Sequence, residues 1–167
     1  MKSIALLSLS CLIYFSISFS ACSIPRHTVR YAEEPQQIFH GSYDEVWAAA
    51  LKVLDAFQYK YPTANKDSGF IETDFYTGYS KREYIFSGGE KFPKESKWKL
   101  ALRFLAMKSH PSSPKVRIRI KKEEEVNQGF LEGWKKIESD LLTEKVILYR
   151  IGRVLYLNKK IELLSTP

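Results

Sequence analysis

Glu72 and Asp74, in the stretch GFIETD, stand one pleat apart and therefore on one side of an extended chain, a spacing at which two carboxylates could divide acid and base work. Such work needs a cleft and a shifted pKa. The neighbouring basic residues offer a simpler role, cross-strand ion pairs with the stripe of Arg103, Arg117 and Arg119. The three histidines, His27, His40 and His110, form no spaced ligand pair. HExxH, CxxC, GxSxG and a phosphate-cradling glycine loop are all missing from the sequence. These residues predict no catalytic site, no metal and no dissociable cofactor, hence a protein that is not an enzyme.

Chemistry is more legible at Cys22. Met1-Lys2 gives a short positive start, and Ile4 to Phe19 carries no charge. Five serines between Ser8 and Ser20 dilute this run below the about 20 apolar residues of a good membrane span. Residues 1–21 thus read as a signal peptide. Phe19-Ser20-Ala21-Cys22 resembles the bacterial lipobox, in which small residues admit a leader peptidase and the cysteine sulfur carries a diacylglycerol, with an N-acyl chain on the freed amine. Two other readings stay open: an uncleaved anchor, or ordinary cleavage after Ser20 that releases a soluble exported chain. Cys11 would leave with the leader, so the mature chain is predicted to form no internal disulfide, and a lone thiol in an oxidising compartment favours the lipid.

The 167-residue chain has 26 Lys and Arg against 19 Asp and Glu, a net charge of +7 that suits acidic partners of any kind. Export makes nucleic acid an unexpected partner and leaves acidic lipid headgroups and acidic protein surfaces. Hydrophobic residues at 44% argue for a folded domain rather than a disordered tail. Residues 22–37 show no period and hold prolines near both ends, so they read as a flexible tether of roughly 20 Å mean span. Residues 38–164 are then one domain.

Within it, Ser42 and Glu45 form a capping box for a helix whose apolar face carries Val46, Trp47, Ala50, Val53, Leu54 and Phe57. Trp47 reads as a core anchor. Thr63–Asn65 and Gly69–Tyr76 flank the turn Lys66-Asp67-Ser68 as a hairpin, with Ile71, Thr73 and Phe75 on one side. Trp98, Leu100, Leu102 and Phe104 alternate with Lys97, Lys99, Ala101 and Arg103; Val116, Ile118 and Ile120 alternate with Arg117, Arg119 and Lys121. These are antiparallel strands, apolar toward a core and basic toward water. Ser139-Asp140 offers a cap for a closing helix to about Lys160, with Lys159 and Lys160 near its negative end. The expected class is α+β, a four-stranded or slightly larger antiparallel sheet with two helices on one face.

Two segments stand out. Tyr76–Ser96 reads as a long connection rich in aromatics, and Asn127–Trp134 sets Phe130, Leu131 and Trp134 between glycines. Both are either docking surfaces or flaps folded over the core edge. The basic sheet face likewise is either a solvated face or a surface for acidic partners or phosphate-bearing headgroups. Candidate partner-binding residues are therefore Phe130, Leu131, Trp134, Arg103, Arg117 and Arg119.

YDEVWAAALKVLDAF followed by YPTANKDSGFIETDFYTG resembles the repeated domain of the BamC (NlpB) lipoproteins, at Val46, Trp47, Gly69, Ile71 and Thr73, and the closing EKVILYRIGRVL is similar in character. The resemblance covers most of residues 38–162. It implies a helix-grip fold on a lipoprotein held at the inner leaflet of the outer membrane, facing the periplasm. It also implies an accessory role in folding β-barrel proteins, with other envelope proteins, the barrel-assembly complex among them, as partners. The chain departs from the better-known members in having one such domain and a different tether. Ser23 in place of an Asp after the lipidated cysteine fits outer-membrane sorting. The alternative expectation is a helix-grip module holding a lipid or other apolar small molecule.

Overall fold

A computed structural model describes residues 34–108, 110 and 112–165. The expected leader, Cys22 and the tether as far as residue 33 lie outside the described residues. The chain folds as α+β, as expected: an antiparallel sheet, here of seven strands where the sequence predicts four or slightly more, and two helices.

The strands are β1 (Gln36–His40), β2 (Thr63–Asn65), β3 (Phe70–Glu72), β4 (Tyr76–Ser87), β5 (Glu90–Met107), β6 (Lys115–Asn127) and β7 (Trp134–Ile137); the helices are α1 (Tyr43–Ala56) and α2 (Leu142–Ser165). Along the sheet the order is β1-β6-β5-β3-β2, with β4 also on β5 and β7 also on β6. The long central strands β5 and β6 pair from Met107↔Lys115 to Ser96↔Val126.

The capping box forms as the sequence requires: the Glu45 amide donates to Ser42 Oγ at 3.2 Å and the Ser42 amide to Glu45 Oε2 at 2.6 Å. Val46, Trp47, Ala49, Ala50, Val53 and Leu54 then bury one face of α1, while Phe57 stays exposed at its end. Opposite lie Ile71, Leu100, Leu102, Phe104, Val116, Ile118 and Ile120, and Ile147, Leu148 and Ile151 of α2 close the same core. Trp47 is the expected core anchor, its ring 4.8 Å from that of Phe104.

Several expectations change. β1 takes Gln36 and Gln37 from the stretch read as tether, pairing them with Arg119 and Ile118. Of its five residues only Phe39 is buried, so the strand is held by backbone pairing and leaves no hydrophobic alternation to read. Tyr76–Ser96 is no loose connection but a long hairpin: β4 and β5 pair to Ser87↔Glu90 around Gly88 (φ 60°) and Gly89 (φ 85°), a two-residue turn that wants positive φ at both places. Its core-side positions, Gly78, Ser80 and Ser96, are small or polar, which erased the apolar period. α2 starts after the Asp140 side chain takes the Leu142 amide at 3.2 Å, as expected, but it runs on to Ser165. Lys159 and Lys160 therefore lie before the last turn.

Candidate functional site: a basic sheet face and an aromatic edge

The outer face of β5 and β6 changes character along its length. At one end opposite charges meet: Lys97 Nζ lies 2.9 Å from Glu125 Oε2, and Lys99 Nζ lies 2.6 Å from Glu72 and 3.9 Å from Glu123. At the other end the register sets Arg103 against Arg119 and Leu105 against Arg117. Like charges directly opposite are destabilising in a sheet unless something offsets them. Glu34 reaches Arg119 at 3.8 Å; among the described residues Arg103 and Arg117 have no carboxylate partner.

The three arginines named from the sequence thus come together. With Phe70, Leu105 and Gly69 they line an open depression of about 540 Å³. Arg103 sits over the Phe70 ring, its guanidinium carbon 5.7 Å from the ring centroid. Leu105 and Ile38 stand exposed beside Arg117 on the neighbouring strands. The face combines fixed positive charge with apolar patches, the composition of a surface that meets an anionic partner. The expected pairing of these arginines with Glu72 and Asp74 does not occur. Glu72 turns to Lys99, because the β3–β5 register puts Phe70, not Glu72, opposite Arg103. Asp74 has no cation partner among the described residues.

Phe130, Leu131 and Trp134 lie at the far end of β6, roughly 27 Å from Arg119 at about 3.4 Å per residue. Phe130 and Leu131 are fully displayed on the turn between β6 and β7. Trp134 is held on the outer face with Lys97 Nζ 4.6 Å above its ring. The turn is tied to the β4–β5 hairpin by Lys94 donating to Gln128 and by Asn127 Nδ2 donating to Glu95 at 3.3 Å. Ile85, Phe86 and Phe92 of that hairpin are exposed too, Phe86 at 75%. The sequence alone did not place this second set beside the first; the glycine pair at 88–89 is the signal that could have.

Among the described residues no group of three or more His, Cys, Asp or Glu could hold a metal ion, and no helix is long and apolar enough to cross a membrane. Where α1 and α2 cross the middle of the sheet, core side chains fill the space between, and Phe39 stands against Gly152, where an added Cβ would lie 3.5 Å from its ring. No protein-family model matches the chain, and no curated protein matches it.

Proposed function

We propose that the chain is a lipid-anchored, non-enzymatic periplasmic adaptor of the outer membrane, an accessory factor in β-barrel assembly. The observation that carries the reading is the arginine face: three guanidiniums converge on one open surface against a single nearby carboxylate. A charge set answered by a single carboxylate is stabilised by an anionic partner. The displayed residues Phe130, Leu131, Phe86 and Phe92 add an apolar edge at the opposite end of the sheet, so the domain can touch two bodies at once. Cys22 would attach it to the membrane through diacylglycerol and an N-acyl chain, and residues after it would let it work a short distance away.

The test is to purify tagged full-length protein from gently solubilised envelopes and identify what accompanies it. Recovery of barrel-assembly subunits supports the assembly role. Their absence, with the protein intact and membrane-bound, removes that role.

A further inference from the structure

Among the described residues two buried donors on the helix-covered face of β5 have no hydrogen-bond partner, the Ser96 hydroxyl and the Trp98 indole N–H; the third unpaired buried atom is Glu144 Oε2 in the first turn of α2. Ser96 is 1% exposed. An unpaired buried polar group costs on the order of 1–3 kcal/mol, and native folds rarely carry two side by side without reason. Residues 96 and 98 are one pleat apart, so both point the same way. Both line a recess of about 120 Å³ between β4, β5, β6 and the first turn of α2.

The charges around this recess are set by buried ion pairs. Glu124 takes Lys122 Nζ at 2.8 Å and Arg82 Nη2 at 3.4 Å, with Lys122 and Glu124 both nearly enclosed. Arg82 also donates to the Glu138 carbonyl, which fixes it at the rim. Lys81, Arg82 and Lys122 line the recess against Glu124 and Asp140, an excess of one positive charge. Asp140 is already engaged by the Leu142 amide. The start of α2 adds the partial positive charge of a helix N-terminus. The recess therefore holds two donors, on Ser96 and Trp98, that no acceptor among the described residues takes.

We propose that this recess is a binding site for a small monocarboxylate, its carboxylate meeting Ser96 Oγ, Trp98 Nε1 and Lys122 Nζ. The volume is about four times the roughly 30 Å³ that one water occupies in the liquid, enough for a carboxylate with a short apolar tail. The rings of Tyr59 and Trp98 give that tail a wall. The site is separate from the arginine face, which lies on the other side of the sheet.

Full-length protein titrated with acetate, propionate, inorganic phosphate and chloride at constant ionic strength tests this, read by the Trp98 indole N–H resonance, which Trp98→Phe identifies by its loss. Acetate or propionate should shift that resonance saturably, and Ser96→Ala should weaken binding about tenfold. Lys122→Met should weaken it as well, and Arg117→Glu should not. Thermal melts of each variant confirm that it is folded. If neither carboxylate produces a saturable shift, the recess holds water only and the proposal fails. It fails equally if phosphate alone binds, or if Ser96→Ala binds acetate and propionate as the wild type does.

Discussion

Gly69 shows why Gly69, Ile71 and Thr73 stand where they do. Its φ is +66°, and a Cβ there would lie 2.5 Å from the Phe104 carbonyl oxygen and 2.9 Å from the Tyr43 hydroxyl. Two residues on, Ile71 is fully buried; two further, Thr73 exchanges backbone and side-chain hydrogen bonds with Leu100, the Leu100 amide donating to Thr73 Oγ1 at 2.9 Å. Gly69→Ala should lower unfolding stability by about 2–4 kcal/mol, the left-handed backbone cost plus overpacking, as measured by urea denaturation. A loss below about 0.5 kcal/mol would show that the chain there is looser than described. Lys99 gives a second prediction. Its hydrogen bond to Glu72 raises its pKa above 10.5 against the lowering effect of burial. Tyr61 is raised by its hydrogen bond to Asp55, and Tyr43 by desolvation. A raised folded pKa gives stability that is full below the unfolded value and is lost as pH rises through the folded one. Denaturant stability should therefore decline above about pH 10, and Glu72→Gln should remove the Lys99 share of that decline. The glycine, the hydrophobic residue and the threonine were readable from the sequence. The Glu72–Lys99 pair was not, since it depends on a register that only the assembled sheet sets.

At the scale of elements, what was legible was what buried a regular apolar stripe. α1 and the cores of β5, β6 and α2 each repeat hydrophobic residues at the period of their geometry and were found in place, while the β2–β3 hairpin, whose first strand is wholly exposed, was legible from its turn Lys66-Asp67-Ser68. β1 and β4 lack such a stripe. β1 buries only Phe39, and the core side of β4 is Gly78, packed against the Trp98 ring, and Ser80, whose Oγ accepts the Arg82 and Glu83 amides where the strand is irregular. The projecting hairpin keeps its aromatics outside the core, so changing them should cost little stability. The double variant Ile85→Ser and Phe86→Ser is expected to melt close to the wild type and to lose envelope partners that dock on the aromatic edge, measured by thermal denaturation and by quantitative co-purification. A melt lowered as by a core substitution would mean that these side chains close the fold rather than display a surface.

At the scale of the whole molecule, the proposed lipid on Cys22 would tether a domain with two exposed ends, one basic and one aromatic. Labelling of cells with a fatty-acid analogue should mark the wild type and spare Cys22→Ser; label on both would sink the anchor. The basic character of one sheet face was legible as alternating Arg and Lys, but its division into a neutralised and an unneutralised half was not. Glu123 and Glu125 answer the lysines at one end, and the Arg103↔Arg119 register leaves like charges opposed at the other. The claim that this second half is the docking surface is the centre of the proposed function. The measurement that tests it most directly is quantitative mass spectrometry of envelope proteins held by the wild type, by the triple variant Arg103→Glu, Arg117→Glu and Arg119→Glu, and by Phe130→Ser as a control away from that face. The account predicts a set of partners lost with the arginines, kept by the control, and weakened in the wild type by added salt. The same partners in the same amounts on the triple variant would contradict it.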